Sequence, residues 1–155
     1  MSSIFEQILE FFRSREIPYQ HIHHQPTYTC EESAKARSES LNIGAKALLM
    51  KADDTYSLFV LSASKKTDSK KVKTFLRAKS LRFASAEELL ELTSLVPGSV
   101  PPFGKPILPF QLYVDHSIEE LTQVAFNAGS LSDSLVISCK DYLNSCKGIV
   151  CSFSK

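Results

Sequence analysis

The stretch Gly44-Ala45-Lys46-Ala47-Leu48-Leu49-Met50-Lys51 constrains this chain most. It is an apolar run of strand length, opened by a glycine and closed by the turn-forming Ala52-Asp53-Asp54. Alternation along a strand puts Lys46, Leu48 and Met50 on one face, and Ala47, Leu49 and Lys51 on the other. Tyr56 to Leu61 follows as the hairpin partner, with Phe59 and Leu61 on one face and Leu58 and Val60 on the other, so it is expected to be covered on both sides. Lys46, at the start of the first strand, either snorkels to water or lines a pocket, and residue type alone does not choose between the two.

At 155 residues, with 43% hydrophobic and 23% charged, the chain is expected to be one domain over 1–155 with its own core. It contains no apolar run near the ~20 residues a membrane span needs. Glu6, Glu10 and Arg13 interrupt the N-terminal apolar positions, so no signal peptide and a cytoplasmic location are expected. Cys30, Cys139, Cys146 and Cys151 form no C-x-x-C pair, which favours reduced thiols. His21, His23 and His24 invite a metal reading, yet His24 would face away from the other two, and no carboxylate or cysteine stands near in sequence. Neither a metal nor another cofactor is expected.

Four segments have capping-box spacing: Ser3 to Glu6, Thr29 to Glu32, Ser85 to Glu88 and Ser117 to Glu120. The first opens an amphipathic helix bearing Ile4, Phe5, Ile8, Leu9, Phe11 and Phe12; the second opens one running toward Leu41. Strands are expected at Tyr19 to His24 (an edge), Leu81 to Phe83, Gln111 to Val114, Val124 to Phe126 and Leu135 to Ser138. The tail from Asp141 has no clear type. Without a regular βαβ rhythm, the fold class is α/β in the α+β sense, a mixed sheet with short helices.

Residues 64 to 82 carry Lys65, Lys66, Lys70, Lys71, Lys73, Arg77, Lys79 and Arg82 against one acid, Asp68. With Val72, Phe75 and Leu76 as an apolar stripe, this reads as an amphipathic helix with a basic outer face, either simply solvated or a contact surface for phosphates. The net charge of +1 provides no global pull toward nucleic acid, so such a partner must meet a local patch.

Pro26-Thr27-Tyr28-Thr29-Cys30-Glu31-Glu32-Ser33-Ala34, Gly44-Ala45-Lys46-Ala47-Leu48, Pro97-Gly98-Ser99-Val100-Pro101-Pro102-Phe103-Gly104, Tyr113-Val114-Asp115 and Phe126-Asn127-Ala128-Gly129-Ser130 occur in that order. Together they resemble the YbaK and prolyl-tRNA editing-domain family of aminoacyl-tRNA deacylases, over about residues 20 to 143. The resemblance implies a mixed, barrel-like sheet flanked by short helices. It also implies hydrolysis of the ester joining a wrong amino acid to tRNA, by a trans-editing enzyme with no synthetase attached. The implied partners are tRNA, of proline or a related acceptor, and an aminoacyl-tRNA synthetase such as prolyl-tRNA synthetase, with no membrane. The family's functional lysine maps onto Lys46, and its glycine-proline loop onto Gly98, Ser99, Val100, Pro101 and Pro102, continuing to Phe103 and Gly104.

Thr27, Tyr28, Thr29, Met50, Phe103 and Asn127 are the implied pocket walls, with Ala128, Gly129 and Ser130 beside them. The basic residues of 64 to 82 are the implied tRNA contacts. Ser94 stands where many relatives have glycine. Asn127 stands where cysteine-removing members carry serine, and Ser134 replaces an aspartate in those members.

An aminoacyl ester is already activated, so a positioned water and charge stabilisation at the carbonyl oxygen suffice. Lys46 suits the second task or anchors the terminal phosphate. Backbone N–H groups at Gly98 to Val100 suit the carbonyl oxygen, and glycine there allows close approach. No serine, cysteine or histidine is framed as a nucleophile with its base; in similar proteins the ribose hydroxyl of the substrate is taken as the base. The alternatives are a catalytically silent tRNA- or synthetase-binding module of this fold and, with little support from spacing, a histidine-based metal hydrolase.

Overall fold

Local signals shape the first third of the chain. In the computed structural model, which describes residues 2–155, Ser3 and Glu6 close a reciprocal capping box that starts α1 (Ile4–Ser14). The chain then forms β1 (Gln20–His23) and α2 (Cys30–Arg37), the latter opened by the Thr29–Glu32 box. α2 stops well short of Leu41 because Ser38 adopts a left-handed conformation, φ 57°. A 3-10 turn (Leu41–Ile43) leads into β2 (Ala45–Ala52), which a tight turn joins to β3 (Thr55–Ser62). Asp53 sits in the turn at φ 52°. Its carboxylate accepts from the N–H groups of Lys79 and Ser80, each at 3.0 Å, fastening the turn to a distant loop.

The basic segment is not one helix. Asp68 caps α3 (Ser69–Leu76), and Arg77 ends it in the left-handed region. β4 (Leu81–Phe83) and α4 (Ala86–Thr93) follow. Ser94 ends α4 at φ 64°, a conformation glycine adopts most easily, which explains the glycine expected of relatives there. After β5 (Gln111–Asp115) comes α5 (His116–Glu119), capped by Asp115 rather than by the anticipated Ser117 box. Ser117 Oγ instead accepts from the Ser62 N–H at 3.0 Å. β6 (Gln123–Asn127), β7 (Asp133–Ser138), α6 (Cys139–Cys146) and β8 (Ile149–Cys151) complete the chain, assigning the tail to a helix and a short strand.

The strands form two sheets. One is antiparallel, ordered β1-β7-β6; the other is mixed, ordered β4-β2-β3-β5-β8. A parallel bridge between Gly44 and Ala125 links them. The mixed α+β class is as expected, but "barrel-like" is loose, since the sheet is not closed. Both faces of the β2–β3 hairpin are covered. Ala45, Leu49, Leu58 and Val60 belong to the main core, while Met50, Phe59 and Leu61 pack with Val72 of α3 and Phe153. The main core centres on Phe103, whose ring lies 5.4–5.9 Å from those of Phe11, Phe12, Phe126 and Tyr142.

Candidate functional site

The glycine-proline loop begins with a type II turn. The Ser99 N–H donates to the Val96 carbonyl at 3.1 Å, Pro97 occupies the first central position, and Gly98 the second at φ 90°. Ser99 is buried and its hydroxyl donates to the Val96 carbonyl at 2.8 Å, so this side chain serves the turn. The turn presents the Gly98 carbonyl to Asn127, whose Nδ2 donates to it at 2.8 Å. The N–H of Ser99 is thereby committed, whereas those of Gly98 and Val100 make no hydrogen bond among the described residues.

Beside this turn lies a cavity of about 260 Å³. The start of α2 supplies Tyr28, Thr29, Cys30, Ser33 and Arg37; the start of β2 supplies Gly44 to Leu48; Ala63, Gly98, Val100, Ala125 and Asn127 complete it. Four alanines and two glycines in the walls leave the room that larger side chains would fill. The lining contains two cations, Lys46 and Arg37, and no carboxylate. Lys46 Nζ donates to the Lys65 carbonyl at 2.7 Å, which fixes the ammonium while leaving two of its protons for other acceptors.

Behind the wall runs a polar network that local sequence does not reveal. Ser134 faces Asn127 across the β6–β7 pair. Its Oγ donates to Asn127 Oδ1 at 2.9 Å and receives Arg37 Nε at 2.9 Å. Arg37 Nη2 also reaches Asn127 Oδ1, at 3.3 Å. Thr27 and Ser33 share a 2.7 Å hydrogen bond beneath the Asn127 amide. Burial pushes the Cys30 thiol up, with Lys46 and Arg37 opposing and Glu31 reinforcing the shift. A neutral thiol is a packing group here rather than an activated nucleophile.

Of the side chains expected at the site, the fold brings Tyr28, Thr29, Lys46, Gly98, Val100 and Asn127 to the cavity. Tyr28 stands at its mouth, 66% exposed. Met50 does not line it: the residue is 1% exposed in the smaller core. Phe103 does not line it either, being the centre of the aromatic cluster, and Pro102 gives its carbonyl to the Tyr142 hydroxyl at 2.7 Å. Thr27 lies behind the wall, and Pro101 and Gly104 are buried in the loop beyond it. Ala128 is buried, Gly129 donates its N–H to the Ser99 carbonyl at 2.9 Å, and Ser130 binds Asp133 at 2.9 Å. Gly129 thus braces the loop, Ala128 and Ser130 hold the β6–β7 turn, and none of the three lines the cavity. Arg37, Ser33 and the small alanines were missed because nothing local marks them; only the α2–β2–β6 packing gathers them.

The basic residues divide similarly. Lys65, Lys66, Lys70 and Arg77 are exposed and lie in no ion pair among the described residues. Lys71 Nζ donates to the Ser154 carbonyl at 3.1 Å, and Lys73 is half-buried on α3. Lys79 lies beyond the helix, at the loop held by Asp53. Arg82 is committed to Glu88 through two contacts at 2.6 and 2.8 Å. Hydrogen bonding by Arg82, by the Ser85 backbone and by the Tyr56 hydroxyl holds the Glu88 carboxyl far below the usual range. The histidines gain a carboxylate that sequence proximity did not offer: His21 and His23 each lie 2.9 Å from Asp133 Oδ1. Burial opposes ionisation of Asp133, but hydrogen bonds from His23, His21 and Ser130 hold its carboxyl at about 2. No cluster of three or more ligating side chains arranged for a metal occurs among the described residues.

The profile described as the aminoacyl-tRNA editing domain matches residues 24–144. The multifunctional Ser/Thr-tRNA deacylase ProXp-y of Escherichia coli (strain K12) is 32% identical over 126 residues, covering 77% of this chain and 74% of that protein. The proline–tRNA ligase of Shouchella clausii (strain KSM-K16) is 34% identical over 100 residues, which span 64% of this chain but 17% of the ligase. A solved structure described as a candidate trans-editing enzyme for prolyl tRNA synthetase superposes with TM-score 0.82 at 22% identity, covering 100% of this chain and 99% of its own. That last likeness concerns the fold. No helix among the described residues is long and apolar enough to cross a membrane.

Proposed function

Since this chain belongs to the aminoacyl-tRNA editing domain family, we propose that the cavity beside Lys46 hydrolyses the ester of a mischarged aminoacyl-tRNA. The observation that carries this reading is Lys46 itself, an ammonium fixed by the Lys65 carbonyl at 2.7 Å in the wall of a small cavity without acids. There it can stabilise negative charge developing on the ester carbonyl oxygen, together with the N–H groups of Gly98 and Val100. The lining contains no histidine or carboxylate to act as base, which leaves a substrate hydroxyl or solvent to take the proton from the attacking water.

The cavity, about 260 Å³, holds roughly nine water volumes. That suffices for a small aminoacyl group and part of its ribose and is too little for a whole aminoacyl-adenosine. Size then limits the amino acid, at about 1–3 kcal/mol per methylene, and the terminal base lies outside, toward Tyr28. Lys65, Lys66, Lys70, Lys71, Lys73 and Arg77 would receive the tRNA backbone, with Lys79 further off. Chain 1–155 would work as one editing domain in the cytoplasm, with prolyl-tRNA synthetase as the natural supplier of substrate.

The test is deacylation across a panel of tRNAs mischarged with small amino acids. Lys46→Ala is expected to lose at least ~100-fold in rate, the scale of one oxyanion-stabilising donor, while remaining folded. Lys51→Ala, beyond the cavity with its Nζ 5.4 Å from the Tyr56 ring centre, is expected to keep its rate. Equal losses in both variants would remove Lys46 from the chemistry, and an inert wild-type protein would make this a binding module.

A further inference from the structure

Arg37 is the charged group in the cavity wall that the reading above leaves without a task. It is the last residue of α2, half-buried, and its guanidinium touches only neutral acceptors: Ser134 Oγ through Nε at 2.9 Å and Asn127 Oδ1 through Nη2 at 3.3 Å. No carboxylate lies within ion-pairing distance of it among the described residues. Glu39 is close enough for its charge to be felt, yet its Oε2 is itself buried without a partner.

We propose that Arg37 recognises an anionic oxygen of the substrate, supplied by the phosphate between the last two nucleotides of the tRNA or by a carboxylate side chain on the amino acid removed. The inference rests on the editing reading above.

Three features point to it. The contacts with Ser134 and Asn127 use one edge of the planar guanidinium and leave the fork of Nη1 with the second proton of Nη2. That fork matches the paired oxygens of a phosphate or carboxylate. Nη1 lies over Gly44, where a Cβ would come within 3.8 Å of it, so the glycine keeps this side of the group open. Moreover, an aminoacyl ester carries its own α-ammonium. Two cations in the lining with no lining acid would repel that ammonium unless an anion enters with it. Burial pulls the Arg37 pKa down, with Glu39 and Cys30 opposing, yet arginine stays charged throughout the physiological range. An incoming anion therefore gives Arg37 the direct ion pair that the described residues do not supply.

The test uses seryl and aspartyl esters, each carried on tRNA, on the dinucleotide CpA and on adenosine, which lacks the internucleotide phosphate. Arg37→Met is expected to slow the responsive substrates ~10–100-fold, the scale of a charge-assisted hydrogen bond. Arg37→Lys, which keeps charge but not the fork, should lie between. If the anion is the phosphate, the loss falls on tRNA and CpA esters and spares adenosine esters. If it is the side-chain carboxylate, the loss falls on aspartyl esters of every carrier and spares seryl ones. A loss uniform over all six substrates, or none, overturns the proposal, because a residue that merely holds Asn127 and Ser134 would affect all alike. Ratios taken within one variant cancel any general loss of stability.

Should wild type hydrolyse none of them and none of the mischarged tRNAs of the panel above, the editing reading fails. Arg37 is then judged by binding alone, of CpA against its uncharged methylphosphonate analogue and of amide-linked aspartyl-adenosine against asparaginyl-adenosine. A preference of at least ~10-fold for a charged probe, abolished in Arg37→Met, supports the assignment; no preference in either pair overturns it.

Discussion

At Gly98 the backbone, not the surrounding space, forbids a side chain. The nearest atoms to an added Cβ would be Leu131 Cδ2 at 3.4 Å and the Tyr28 carbonyl at 3.5 Å, ordinary contact distances. The φ of 90° is what L residues rarely adopt. A β-branched residue there must either strain or unmake the type II turn, and the turn aims the Gly98 carbonyl at Asn127. Gly98→Val is expected to lower stability by about 1–3 kcal/mol and to abolish deacylation. Ser99→Ala, which removes only a hydroxyl bonded within the turn, should be mild in rate. Thermal unfolding and a deacylation assay on the two variants check this; a Gly98→Val protein as stable and active as wild type would refute the turn argument.

At the level of elements, the loop from Val96 to Phe110 has two halves with different work. Its first half shapes the cavity through Gly98 and Val100, and its second half is core. Phe103 meets four aromatic rings from α1, β6 and α6 in edge-on geometry, an arrangement worth more than area burial alone. Phe103→Ala is expected to destabilise the fold by about 3–5 kcal/mol, read from urea unfolding. Whatever activity the surviving folded fraction shows should keep its amino-acid preference, because the ring does not line the cavity. A change in preference without loss of stability would return Phe103 to the pocket wall. Residues 64–82 form a loop, an eight-residue helix and a short strand, so their basic charges spread over a ridge, and Arg82 is withdrawn by Glu88.

Over the whole molecule, residues 64–82 contribute +7 against a total of +1, leaving −6 elsewhere. This polarity would orient the protein on a polyanion with its basic side inward. The Lys65 carbonyl holds Lys46, so that side adjoins the cavity and a tRNA end could enter it while the backbone rests on the ridge. Reversing Lys65, Lys66 and Lys70 to glutamate is expected to weaken tRNA binding and flatten its salt dependence, by ~0.7–0.9 in log–log slope per lost phosphate contact. Aminoacyl-adenosine, which does not reach the ridge, should be hydrolysed as before. Unchanged affinity and slope in that triple variant would place the tRNA on another face.

Sequence alone determined whatever is decided within a few residues: three of the four capping boxes, the two-faced β2–β3 hairpin, the Pro97-Gly98 turn and the ordered motifs that mark the family. These depend on local hydrogen bonds, side-chain alternation and allowed φ, all written in neighbouring positions. The exceptions are instructive. Ser117 had the spacing of a cap, but Asp115 lay one residue before the observed helix and took that role, while Met50 and Phe103 had the right character for a pocket and were absorbed by packing. Only tertiary structure could bring Arg37 to Asn127 and Ser134, or Asp133 to His21 and His23. Those partners stand roughly a hundred positions apart, and strand register together with the Gly44–Ala125 bridge decides that they meet.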